Sequence, residues 1–150
     1  SPLSVVDMSI KRWDLIMTVN LNGMCLCTKA VLPVMMKQQS GHILNLSSVQ
    51  ANLLLEGNVA YAASKAAIER FTTGLAVEMK DQNIGVNALR PSYTVTEGLK
   101  FFRPDADTSS FQTAEMWGRY AALVVAQPPK DFTGCLLTED DLKQRFGPTE

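Results

Sequence analysis

The sequence predicts an α/β fold built on a parallel sheet. Three observations lead there. Short apolar runs bounded by turn residues stand at 42–48, 84–89 and 132–137, with helical patterns between them. Strands that alternate with helices form βαβ units, which place helices on both faces of the sheet. No repeat, linker or low-complexity tract divides the 150 residues, so they make a single doubly wound unit or part of one.

The elements follow in order. Residues 1–10 read as a loop. A long helix is expected over 12–37, with Trp13, Ile16, Met17, Leu21, Met24 and Ala30 among its apolar positions. Its apolar residues cover most of the circumference, as in a helix covered on several sides. Pro33 removes a backbone donor near its end, and "QQSGH" breaks it. "HILNLSS", 42–48, is a buried strand of about five residues. A loop through Gly57 leads to an alanine-rich helix over 60–79. A second strand over 84–89 is stopped by Pro91. Residues 92–112 read as a long polar loop carrying Phe101, Phe102 and Phe111; these are either a substrate lid or ordinary apolar anchors of a mobile loop. A helix over 113–126, a last strand in "FTGCLL" and a polar, charged tail complete the chain.

Composition narrows the function classes. A net charge of -1, from scattered basic residues, gives no electrostatic reason to expect nucleic acid or an anionic membrane. No run of about 18 consecutive apolar residues marks a membrane span. Cys25, Cys27 and Cys135 are an odd number at non-metal spacing, and His42 is the single histidine. Buried free thiols in a reducing, cytoplasmic compartment are the expectation, without disulfide or metal. The chain opens on Ser1 without a signal-peptide pattern. The nearest two of its nine glycines, Gly74 and Gly85, are eleven apart, so neither GxGxxG nor a P-loop occurs.

One constellation carries chemistry. Tyr61 and Lys65 are four apart on the expected helix and share a face. A Y-x-x-x-K pair in this composition, with a serine thirteen residues before it, has a chance expectation of roughly 0.01. Ser48 meets that condition at a strand end, where α/β folds place their sites. A phenol with a reference pKa near 10 is a poor proton donor or acceptor at neutral pH, and a nearby ammonium brings it into range. Tyr61 then suits general acid–base work on an alcohol/carbonyl pair, with the Ser48 hydroxyl holding the oxygen. Hydrolase chemistry lacks a base, because His42 lies on the serine's own strand.

These residues and their flanks resemble the short-chain dehydrogenase/reductase family. "WDLIMTVNLNG" is similar to the family's helix that carries a catalytic asparagine, here Asn20. "HILNLSS" resembles its serine strand, "AYAASKAAIERFTTGLAVEM" its active-site helix, and "IGVNALRPSYTVT" its next strand and nicotinamide loop. The resemblance is strong over residues 10–97 and weaker over 113–138. It implies the C-terminal part of a doubly wound parallel Rossmann-type sheet, strands 5-6-7 with flanking helices, as one partial domain over 1–150.

The resemblance also implies an activity: an oxidoreductase that interconverts a small-molecule alcohol and a carbonyl with NAD or NADP. Tyr61 would exchange the proton. Lys65 would lower the tyrosine's pKa and bond the nicotinamide ribose. Ser48 would orient the substrate oxygen, and Asn20 would distort its helix and hold a water of a proton relay. Pro91, the backbone of Thr94 and the Thr96 hydroxyl would line the carboxamide. Where the family usually has Pro-Gly, this chain has Pro91-Ser92. The family's glycine-rich turn, its NAD/NADP-selecting residue and its Asn-Asn-Ala-Gly strand have no counterpart, and Ser1 falls just after that strand. The competing expectation is therefore an inactive fragment or a dimerising remnant. The family further implies a homodimer or homotetramer through the two long helices.

Overall fold

The computed structural model describes residues 3–149. Helix α1, Ile10–Met17, starts where the Ser9 side chain accepts from the Arg12 amide. It runs through a π-helical turn, Thr18–Asn22, into α2, Gly23–Gln38. The long helix expected over 12–37 is therefore present but not uniform. Pro33 lies inside α2 without ending it. The stop comes at Gln39, in the left-handed region at φ 51°, where its amide reaches the last carbonyls.

Strand β1, Gly41–Leu46, pairs in parallel with β2, Ile84–Leu89, over the full length of both, from Gly41 opposite Ile84 to Leu46 opposite Leu89. Helix α3, Val59–Glu78, makes the crossover between them. Strand β5, Leu136–Leu137, adds on the other side of β2, giving the order β1-β2-β5. Helix α5, Ala114–Val125, lies between β2 and β5 in the chain. Residues alternate across the sheet with the period of a strand. Ile43, Ile84 and Val86 pack with Leu75, Ala76 and Met79 of α3 and its C-cap. Leu44 and Leu89 face the opposite layer, where Trp117, Tyr120 and Val124 of α5 pack. Helices therefore cover both faces, as the alternating pattern requires.

Three expectations need correction. The polar tail is not irregular: Glu139–Phe146 form α6, opened by a capping box in which Thr138 and Asp141 satisfy each other's amides. Leu142 carries α6 into the core at 0% exposure. The loop expected over 92–112 contains β3, Thr94–Val95, helix α4, Glu97–Phe102, and the first residue of β4, Gln112–Thr113, which pairs with β3. The last strand is shorter than "FTGCLL". Gly134 turns at φ 76°, and side chains there join two main-chain bonds, Gly134 N–H to the Val86 carbonyl at 2.8 Å and Ala88 N–H to the Cys135 carbonyl at 2.9 Å. Asn87 donates to the Phe132 carbonyl and accepts from the Cys135 amide, while Thr133 Oγ1 accepts from the Val86 amide. Gly85 is required between these strands, since a Cβ there would stand 2.8 Å from His42 Nδ1 and 3.1 Å from the Phe132 carbonyl.

The cysteine expectation also fails in part. Cys25 and Cys27 are exposed on α2, and only Cys135 is partly covered. Both lie in the continuous segment Ile10–Gln38, where many apolar residues are uncovered, among them Leu15, Val19, Leu26, Val31 and Val34. Taken as one segment, Ile10–Gln38 is long and apolar enough to cross a membrane by length and composition, although it has no unbroken apolar run of that length.

Candidate active site

The site forms where β1 and β2 end. The β1 ladder continues past its last strand residue: the Ser47 amide donates to the Leu89 carbonyl at 2.8 Å and the Val49 amide to the Pro91 carbonyl at 3.0 Å. Ser48 is held between them in extended backbone, φ −162° and ψ 152°, and caps the short 3₁₀ turn Val49–Ala51 by accepting from the Gln50 amide. Its hydroxyl lies 3.4 Å from the Pro91 carbonyl.

Tyr61 and Lys65 come from the first turns of α3. The Ser48 hydroxyl lies near enough to the Tyr61 phenol to lower its pKa. The Lys65 ammonium lies 5.5 Å from the centre of the Tyr61 ring and donates to the Leu46 carbonyl at 2.8 Å. Asn20 sits in the π-turn, and its side-chain amide donates to Ser64 Oγ at 3.0 Å. Ser64 in turn donates to the Tyr61 carbonyl at 2.7 Å. Inserting one residue into a helical turn re-aims a side chain, and such turns gather at functional sites. Asn20, Ser48, Tyr61 and Lys65 are thus brought together from three separate segments.

The electrostatics run partly against expectation. Burial pushes the Tyr61 phenol up, and the nearby Ser48 hydroxyl pulls the other way without reversing the direction. Burial pushes the Lys65 ammonium down. The ammonium is turned to the Leu46 carbonyl, not to the phenolic oxygen, which accounts for its weak hold on the tyrosine here. One of its three N–H donors is so engaged, and the donor set still suits a polyhydroxyl group.

The remaining expected residues line the segment after β2. Pro91 is half-buried and stands two residues past the end of β2. Thr94 opens β3, and its hydroxyl donates to the Ser92 carbonyl at 3.1 Å. Thr96 caps α4 by accepting from the Leu99 amide at 3.1 Å, which leaves its own O–H as a donor. Ser92, at the glycine position, is exposed. Phe111 stacks on Tyr93 with ring centroids 5.2 Å apart, so this aromatic serves the loop's own packing; Ser1 and the Phe102 side chain lie outside the described residues. An apolar groove lined by Leu53, Leu54, Leu55, Val59, Ala62 and Ala66 lies beside α3. By helical spacing, Val59, Ala62 and Ala66 occupy a different face from Tyr61 and Lys65.

Sequence reasoning missed the buried polar network behind the site. Arg90 donates to Glu69 through Nε at 2.7 Å and Nη2 at 2.6 Å, and Ser47 Oγ donates to Glu69 Oε1 at 2.8 Å. Burial alone would push the Glu69 carboxyl up, but Arg90, Ser47 and Asn52 together hold it below the ordinary range. The available signal was a glutamate one turn beyond Lys65 with an arginine at the end of the next strand.

Comparison with known proteins places the chain in a family. The sequence profile of the family described as short chain dehydrogenase matches residues 2–107. The chain belongs to that family. It is 44% identical over 92 residues to the oxidoreductase UcpA of Salmonella typhimurium, which covers 61% of this chain and 35% of that protein. It is 38% identical over 93 residues to the 3-oxoacyl-(acyl-carrier-protein) reductase of Synechocystis, covering 62% and 38%. The chain thus spans well under half the length of these curated relatives. Among solved structures, a gluconate 5-dehydrogenase from Burkholderia cenocepacia in complex with NADP and tartrate superposes with a TM-score of 0.81 at 27% identity, over 94% of this chain and 59% of that one. ElxO with NADP bound superposes at 0.84 and 23% identity over 92% and 60%, which establishes the Rossmann-like fold.

Proposed function

We propose that the chain carries the catalytic residues of an NAD(P)-dependent oxidoreductase that interconverts a small-molecule alcohol and a carbonyl. The observation that carries this reading is the meeting of Tyr61 with Ser48 and with the Lys65 ammonium at the end of β1. Bound NAD or NADP would supply or accept the hydride. In the reducing direction the Tyr61 hydroxyl gives its proton to the carbonyl oxygen, and in the oxidising direction it takes the proton back. The Ser48 hydroxyl orients that oxygen. Lys65 favours the phenolate once its ammonium faces the tyrosine, and its remaining donors hold the ribose. Asn20, tied to the Tyr61 turn through Ser64, holds the water of the proton relay. Pro91, the Thr94 backbone and the Thr96 hydroxyl hold the carboxamide.

The same reading takes the uncovered apolar side of Ile10–Gln38 as a contact between copies in a homodimer or homotetramer of a cytoplasmic protein. Tyr61→Phe in the full-length protein tests the chemical assignment. Turnover should fall by about 10²-fold or more while cofactor affinity stays within a few-fold. Undiminished turnover would show Tyr61 to be a packing residue.

A further inference from the structure

Two segments enter the site immediately after an anchored residue, buried Ser47 in one and partly buried Arg90 in the other. Ser47 precedes Ser48, and Arg90 precedes Pro91. One carboxylate holds both anchors: Glu69 accepts from Ser47 Oγ at 2.8 Å and from the Arg90 fork at 2.7 and 2.6 Å. The two following residues then meet, since Ser48 Oγ and the Val49 amide both approach the Pro91 carbonyl, at 3.4 and 3.0 Å. Glu69 stands one turn beyond Lys65 on α3, and Ser47 Oγ also lies 3.2 Å from the Lys65 carbonyl. Ser47 and Glu69 are only 3% and 7% exposed.

A buried carboxylate is costly unless its lone pairs are used. Here Arg90 and Ser47 use them, with Asn52 at 3.5 Å. A polar network satisfied in this way is stiffer than the apolar contacts that could replace it. For stability alone an apolar substitute would serve as well. What the network adds is a common reference point for the ends of β1 and β2 and the active turn of α3.

We propose that Glu69 is a positioning residue: through Ser47 and Arg90 it fixes Ser48 and Pro91 against the Tyr61 turn. This rests on the functional reading above. The test uses the full-length protein labelled with ¹³Cζ-tyrosine, with the Tyr61 resonance assigned by its loss in Tyr61→Phe. Ser48→Ala sets the displacement that follows loss of the serine contact. Ser47→Ala, which leaves every charge in place, should move the Tyr61 resonance in the same direction by a comparable part of that displacement. Glu69→Gln should do the same. A Tyr61 resonance unmoved in Ser47→Ala, while Ser48→Ala displaces it, overturns the positioning role and leaves the functional reading intact. A resonance unmoved in Ser48→Ala as well removes the serine–tyrosine contact on which both rest. Should Glu69→Gln fail to fold, Ser47→Ala decides alone, because it deletes a single hydroxyl and keeps the ion pair.

Discussion

The Lys65 ammonium donates to the main-chain carbonyl of Leu46 at 2.8 Å, one element away from the tyrosine it accompanies. Lys65 is 9% exposed, and among the described residues no carboxylate is its hydrogen-bond partner. A buried cation with one neutral acceptor is a poor device for stability. Lys65→Met should therefore leave the melting temperature nearly unchanged or raise it, while turnover in the full-length protein falls by about 10²-fold or more. Thermal melts and steady-state kinetics on the same preparation check this. A parallel loss of stability and turnover would make Lys65 structural.

Glu69 gives a pH signature. Its folded carboxyl titrates below the ordinary value near 4.5. A depressed acid contributes stability that is complete above its unfolded pKa and is lost as pH falls through its folded pKa. Glu69→Gln has no such group and leaves Arg90 without its ion partner. The variant should be less stable by about 2 kcal/mol at pH 7, and the gap should narrow as pH falls below about 4.5. Urea unfolding of both proteins at several pH values measures it. A gap that stays constant down to pH 3 would mean that the Glu69 charge is not what stabilises the fold.

The parallel sheet, its helical crossovers and the meeting of Ser48, Tyr61 and Lys65 were legible in the sequence, because period and spacing are local properties. β1, α3 and β2 stand within a residue or two of where their apolar patterns place them. α6 was missed although Thr138-Glu-Asp-Asp141 spells a cap, since the helix has one buried apolar anchor, Leu142, and a charged surface. β5 was overestimated because the side-chain bonds of Asn87 and Thr133 that interrupt its regular pairing act across some 45 positions of sequence. The Ser47–Glu69–Arg90 network was invisible for the same reason. The direction of the Tyr61 shift was misjudged because spacing gives the proximity of Lys65 but not where its ammonium points.

Association can be tested at a glycine. Gly74 lies on α3, and a Cβ built there meets nothing within 4 Å. A side chain at that position is therefore free of strain within one copy, and removing a helix-interior glycine gains up to about 1 kcal/mol of helix propensity. In a two-fold contact of α3 with its symmetry mate, the same side chain strikes the partner. Gly74→Leu should keep its circular dichroism and a cooperative melt while light scattering reports a smaller assembly. An unchanged assembly would place the interface on another surface.

The last prediction concerns a polypeptide of these 150 residues in isolation. Among the described residues, β1 pairs with β2 on one side only, so its outer edge presents unpaired amides and carbonyls. Beside that edge runs a groove lined by Met24, Val31, Met35, Ile43 and Leu44, which makes it adhesive as well as open. The glycine spacing within these residues also provides no phosphate-binding turn. The candidate cofactor contacts, Tyr61, Lys65, Pro91, Thr94 and Thr96, serve only the nicotinamide end. A dinucleotide gripped at one end forgoes the pyrophosphate and adenosine contacts, and binding must first offset several kcal/mol of lost freedom. The isolated polypeptide should therefore bind neither NAD(H) nor NADP(H) at micromolar concentration and should reduce no carbonyl substrate. Within a chain that also supplied those contacts, the same residues should support both. Calorimetric titration of the isolated polypeptide with each cofactor decides the point: saturable micromolar binding would show that the cofactor's main contacts lie within these 150 residues, at positions other than those proposed.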